Sequence, residues 1–135
     1  CEIFSQYFDK YCDVFSSCNK AFVQHSEKLF WCGECPKCAF IYLGLANYIG
    51  EQKLLKLFSG KNLLLDPALE QTYKMLLGMD NSKPLECVGT IDECRWAMNH
   101  ITNRYSELKN KFNLDNKYDH GFRAEHSIPA DYEPL

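Results

Sequence analysis

Cys32-Gly33-Glu34-Cys35-Pro36-Lys37-Cys38 sets three thiols at two-residue intervals, and Ser17-Cys18-Asn19 offers a fourth upstream. Each C-x-x-C step is short enough for one turn to aim two sulfurs at a single centre. Pro36 suits the first position of a helix, where a missing N–H costs no hydrogen bond. Cys18, Cys32, Cys35 and Cys38 are therefore read as one metal site that holds a loop against a helix. Cys12 is the substitute for Cys18, although beside a helical apolar stripe it reads first as a small buried side chain. His25 could also replace a thiolate, since a neutral imidazole is a good zinc ligand.

Four thiolates in a tetrahedron suit Zn2+ and leave no open position for water, so the zinc would be structural. An iron-sulfur cluster is the rival, because C-x-x-C-x-x-C with a remote cysteine is also ferredoxin-like spacing; the usual nearby fourth cysteine is absent here. A redox C-x-x-C pair ranks last, since no strand-helix alternation surrounds it. The eight cysteines could also form a secreted disulfide framework. Three of them crowded into seven residues, in a chain with long helical patterns, speak for metal instead.

Working outward, 135 residues fit one domain, and 46% hydrophobic with 14% aromatic residues suffice for a core. The net charge is only -3 and no dense basic run occurs, so composition points to neither nucleic acid nor a membrane surface. No apolar stretch approaches bilayer length, and the start lacks a signal-peptide pattern. The expectation is a soluble, cytoplasmic chain. It opens at Cys1 directly on a helical pattern, which suggests a piece of a longer protein.

Ile3, Phe4, Tyr7, Phe8, Tyr11, Val14 and Phe15 recur at helical spacing, predicting a helix over 2–15 with this stripe in the core. Residues 16–31 read as a loop. From Pro36 a helix apolar almost all round should run to Ile49 and stop at Gly50, with Phe40, Ile41, Leu43, Leu45 and Tyr48 making most contacts. A helix over 51–58 follows, ending at Gly60. Asp66-Pro67 marks another start, with Leu69, Tyr73, Leu76 and Leu77 inward and Glu70 paired with Lys74. Gly78 closes it. Thr90-Ile91-Asp92-Glu93 is a capping box, opening one long helix with the stripe Ile91, Cys94, Met98, Ile101, Tyr105, Leu108 and Phe112. The fold class is mainly α: a compact helical domain of about five helices over 1–112, with an N-terminal zinc-binding loop of four cysteines. Residues 113–135 form an extended, polar tail whose Phe122, Ile128 and Tyr132 would suit a groove.

The spacing from Ser17-Cys18-Asn19 to the cysteine run resembles the zinc motif of 7-cyano-7-deazaguanine synthases, ATP pyrophosphatases of the PP-loop type. The spacer here is longer than theirs. A closer resemblance is to the C-terminal part of bacterial UDP-N-acetylmuramoyl-L-alanyl-L-glutamate epimerases. It rests on Phe30-Trp31-Cys32-Gly33-Glu34-Cys35-Pro36-Lys37-Cys38-Ala39-Phe40 and on Lys83-Pro84-Leu85-Glu86-Cys87-Val88-Gly89-Thr90-Ile91-Asp92-Glu93.

This resemblance implies an enzyme that uses ATP and Mg2+ or Mn2+ to adenylate the terminal L-glutamate carboxylate of a UDP-linked muramoyl dipeptide. The acyl adenylate acidifies the alpha proton for inversion. Nothing in this chain resembles the Ser-Gly-Gly-x-Asp-Ser phosphate loop that such chemistry needs. The ATP site is therefore expected in a missing N-terminal domain, with this chain inactive alone. No residue is assigned to catalysis; Glu86, Cys87 and Gly89, on a turn before a capped helix, are candidates for substrate contact, against the plain reading of a tight turn. Two further readings stay open. One is a zinc-stabilised interaction module without catalysis, and the other is part of a PP-loop enzyme that modifies a purine or tRNA base.

Overall fold

The computed structural model describes residues 1–21, 29–85, 87–102 and 104–112. Among them the regular elements are all helical: α1 (Glu2–Gln6), α2 (Phe8–Tyr11), α3 (Pro36–Ala46), α4 (Glu51–Leu57), a 3-10 turn (Pro67–Leu69) leading into α5 (Glu70–Leu76), α6 (Ile91–Ile101) and α7 (Ser106–Lys111). The mainly α reading holds, with two of the expected long helices each divided in two.

α3 is the hub, touching α4, α5 and α6. Cys38, Ala39, Tyr42, Leu43, Leu45 and Ala46 on it are buried, more than one stripe of a surface helix provides. The residues expected to dominate differ in part. Leu43 and Leu45 are buried, but Phe40 and Ile41 are half-buried and Tyr48 is exposed. Tyr42, packed edge-on against Phe58 at 5.0 Å, takes the central place instead. The helix also ends earlier than expected, and Gly50 (φ -69°) serves as the N-cap of α4 rather than as a left-handed terminator.

Elsewhere the end signals act as read. Asp66 Oδ1 accepts from the Ala68 amide at 2.9 Å. Gly78 adopts φ +64°, so the Gly78 and Met79 amides can donate back to the Met75 and Lys74 carbonyls and close α5. Thr90 and Glu93 form the reciprocal box at α6. The Glu70–Lys74 pair is present at 2.7 Å, and Lys111 of α7 joins it at 3.0 Å.

Side chains also donate to helix carbonyls, three of these bonds spanning distant sequence. Asn47 Nδ2 donates to Leu43 O and Ala97 O, and Arg104 Nη1 donates to Ala46 O at 2.9 Å. Arg95 Nε donates to Leu77 O at 2.6 Å. The bonds to Ala46 O and Leu77 O satisfy carbonyls at the ends of α3 and α5, and together with that to Ala97 O they lock α3, α5 and α6 together.

The stripe along the C-terminal third is buried as expected from Cys94 to Phe112, with Ile91 half-buried, yet it lies on two helices. The division falls after Thr102, whose Oγ1 bonds back to Asn99 O at 2.7 Å, and Tyr105 takes an extended backbone (φ -124°, ψ 82°). Such back-bonding competes with continuation of the ladder.

The N-terminal prediction needs the larger correction. The helix over 2–15 breaks at Tyr7 (φ -111°, ψ 14°), and of its stripe only Phe8 is buried. Phe4 and Phe15 pack partly against the core, whereas Ile3, Tyr7, Tyr11 and Val14 face outward. Helical periodicity identifies an apolar face but not what covers it. The tail expected over 113–135 lies outside the described residues.

Candidate metal centre

The three clustered cysteines sit on a turn that feeds α3. Gly33 adopts φ +69° and is buried, with its absent Cβ position 3.3 Å from Leu63 Cδ2. Glycine holds this left-handed backbone without the strain a Cβ brings. Cys35 is the extended N-cap of α3, Pro36 begins the first turn, and Cys38 lies within that turn. Cys35 and Cys38 are thus spaced so that both sulfurs gather at the helix start, at 3.5 Å from one another. Cys32 Sγ approaches Cys38 Sγ at 3.7 Å from the loop side.

Cys18 arrives from 14 positions upstream and is fully buried. All four sulfurs lie within 4.8 Å of one another. Cys12 is elsewhere, its Sγ 3.7 Å from Asp13 Oδ1. His25 and Glu86 lie outside the described residues. None of the eight cysteines forms a disulfide.

The donor set fits one tetrahedral ion. A zinc ion with sulfurs at about 2.3 Å requires sulfur-sulfur edges of about 3.8 Å, close to the observed separations. The backbone also supplies donors to the sulfurs: the Cys32 amide points at Cys18 Sγ (3.4 Å) and the Glu34 amide at Cys32 Sγ (3.3 Å). Such donors favour thiolate over thiol. At Cys18 burial pushes the thiol up, but the Cys32 amide and neighbouring donors outweigh it and bring it down to about 7. Burial pushes Cys38 strongly up, against an opposing amide at Gly33, and also raises Cys32. Crowding these thiols without a cation is therefore unfavourable once they ionise, and a divalent ion resolves that conflict.

Two supports were not anticipated from the sequence. Ser16, buried, donates through Oγ to Phe30 O (2.8 Å) and accepts from the Cys18 amide (3.2 Å), clipping the two cysteine segments together. Its position two residues before a cysteine, in Ser16-Ser17-Cys18, was the available signal. Lys20 and Glu34 form an exposed ion pair at 2.7 Å across the same segments. Exposed pairs add little; this one fixes orientation. Behind the centre a run of rings, Phe4, Phe15, Trp31, Phe58 and Tyr42, joins the N-terminus to α3 at successive centroid distances of 4.6, 5.5, 5.2 and 5.0 Å.

Of the substrate-contact candidates, Cys87 and Gly89 precede α6 and are not among the clustered sulfurs. Cys87 is exposed, and Gly89 rests on the Phe40 ring so tightly that a Cβ there would come to 2.5 Å of Phe40 Cε2. No described helix is long and apolar enough to cross a membrane.

A family model described as the MurL C-terminal domain matches residues 14–120. The chain is 45% identical over 83 residues to a UDP-N-acetyl-alpha-D-muramoyl-L-alanyl-L-glutamate epimerase of Salinispora tropica, covering 62% of this chain and 18% of that protein. It is 41% identical over 91 residues to the protein of that name from a Micromonospora species (67% and 20% covered). With that of Xanthomonas oryzae pv. oryzae the identity is 42% over 98 residues (71% and 22% covered). The matched segment spans about a fifth of the length of these relatives. No solved structure matches the chain.

Proposed function

The chain belongs to the MurL C-terminal domain family, and from that premise we propose that it is the zinc-stabilised C-terminal domain of an ATP-dependent epimerase. The enzyme would invert the terminal L-Glu of a UDP-linked muramoyl dipeptide during peptidoglycan precursor synthesis in the cytoplasm. The observation that carries this reading is the family match across both the cysteine centre and the Lys83–Glu93 motif, together with relatives named for that activity. ATP and Mg2+ or Mn2+ belong to a separate N-terminal domain, because this sequence holds no phosphate loop. Neither membrane nor nucleic acid takes part.

Cys18, Cys32, Cys35 and Cys38 hold a structural Zn2+. Sulfurs within 4.8 Å of one another leave room for one ion and not for several irons with bridging sulfides, which favours zinc over an iron-sulfur cluster. Closed by four sulfurs, the ion stabilises the entry to α3 and binds no substrate. The zinc-stabilised unit is 1–112, since Phe112 is still in the core, against Tyr73 at 6.1 Å; 113–135 is a C-terminal tail. Substrate contact is assigned to Glu86, Cys87 and Gly89, of which Cys87 is exposed; Asp92 and Glu93 in the first turn of α6 suit a hydrogen-bond donor of the substrate there.

Incubating the full-length protein with ATP, Mg2+ and the UDP-linked dipeptide, then determining the chirality of the glutamate, tests the reading. D-glutamate should accumulate; retention of the L form defeats it while leaving the zinc assignment to metal analysis. Purified protein should carry about one zinc per chain, and iron with inorganic sulfide would sink that assignment.

A further inference from the structure

Ile3 on α1, Tyr7 at the break, Tyr11 at the end of α2 and Val14 just beyond it form the outward apolar face of this segment, with the Tyr7 and Tyr11 rings 6.4 Å apart. That face is 75%, 53%, 42% and 66% exposed at these positions. Leu29 and Phe30 add further exposed apolar surface, so most of the large exposed apolar side chains of the described residues fall in the first thirty positions. The other flank of α2 borders a groove of about 220 Å3 whose rings Phe8, Phe15, Phe30 and Trp31 are interspersed with the polar Asp13 and Lys56. An isolated domain gains nothing from such an arrangement, and clustered apolar surface of this kind marks an interface.

The face continues toward the proposed substrate turn. Cys1 lies on Gly44, with its Sγ 2.6 Å from the position of a Cβ there, and Gly89 lies on the ring of Phe40. Phe40 and Gly44 are one helical turn apart, so α1 and the Gly89 turn share one side of α3. Leu85, in that turn, is fully exposed. One body resting on this side would cover the α1–α2 stripe and reach Leu85 and Cys87 together.

What that body is follows from proportion. The matched segment is about a fifth of each relative, and the family is a C-terminal domain, so the bulk of such an enzyme is a separate, larger part that must meet this domain. We propose that the α1–α2 face is the docking surface for the ATP-binding domain of the same polypeptide, and that docking carries Leu85, Cys87 and Gly89 to the edge of the active site. This rests on the epimerase reading for the identity of the partner. The four side chains of that face are uncharged, with Lys10 Nζ 5.3 Å from the Tyr11 ring centroid, so the partner surface should be apolar and aromatic with an acidic group facing Lys10.

In the full-length protein, benzoylphenylalanine placed at Tyr7 or Tyr11 and activated by light should cross-link to residues of the N-terminal domain within one chain. Cross-links found only to a second copy or to 113–135, or none at either position, overturn the proposal. The double variant Tyr7→Glu/Tyr11→Glu should keep its zinc and helicity yet lose at least about tenfold in epimerase turnover, while Leu65→Glu, an exposed control, keeps the parental rate. Loss of zinc or unchanged turnover in the double variant counts against it. The cross-link map does not depend on the reaction catalysed. Absence of epimerisation with the expected cross-links faults the function, and epimerisation with the wrong cross-links faults the docking surface.

Discussion

Cys18→Ala in this chain is expected to lower the melting temperature in zinc-replete buffer by roughly 15 °C. The magnitude comes from the loop that the ion closes. Cys18 and Cys32 are 14 positions apart, and a cross-link over a loop of that size restricts the unfolded chain by about 3 kcal/mol. Removing a sulfur from a fully buried position adds about 1 kcal/mol for the void. At this chain length each kcal/mol moves the midpoint by about 3–5 °C. Calorimetry with zinc analysis on the same samples is the assay. Chelation of the parent should bring it to the variant's midpoint or below, because all four tethers are lost. Amide exchange should rise first over residues 29–35, with the α3–α6 core holding longer on its apolar contacts. Cys12→Ser should change neither zinc content nor midpoint by more than about 2 °C. The reasoning is refuted if Cys18→Ala melts within about 2 °C of the parent, or if Cys12→Ser is the variant that loses zinc.

Gly33→Ala forces a side chain into φ +69° and against Leu63; it should cost about 1–2 kcal/mol and weaken zinc retention in a chelator competition. Asn47→Ala leaves the Leu43 and Ala97 carbonyls without their donor, and urea unfolding should show a loss of about 1–3 kcal/mol. Burial pushes the Cys94 thiol up to about 11. Between its ordinary value and that point the unfolded chain loses this proton and the folded chain keeps it, so stability falls as pH rises through the interval, by about 2–3 kcal/mol. Urea melts at pH 8 and pH 11 should show that extra loss in the parent relative to Cys94→Ala. Acid should also release the ion, since protons compete for the thiolates; a zinc-release titration that runs the opposite way would contradict the site.

Much of this was legible along the chain because the signals are local. Asp66-Pro67, Gly78 and the Thr90/Glu93 box act through hydrogen bonds spanning only a few residues, and each sits where the sequence puts it. The stripe from Cys94 to Phe112 was identifiable for the same reason, although one period cannot distinguish a single helix from two successive ones. The break is set by Tyr105, and Arg104 beside it reaches across to the end of α3. The centrality of Tyr42 was missed because α3 is apolar nearly all round, so no stripe ranked its faces. Ser16 was missed because its two partners belong to different segments.

The sequence by itself determined the helical class, most helix ends and the three clustered thiols of the centre, because capping, turn geometry and C-x-x-C spacing are short-range and each residue type carries its own constraint. Tertiary structure alone decided that Cys18 and not Cys12 reaches the other sulfurs, that α3 is the hub, and that the first apolar stripe faces outward. These depend on which surfaces meet at long sequence separation. Hydrophobic attraction is non-directional, so it demands that an apolar face be covered without specifying by what.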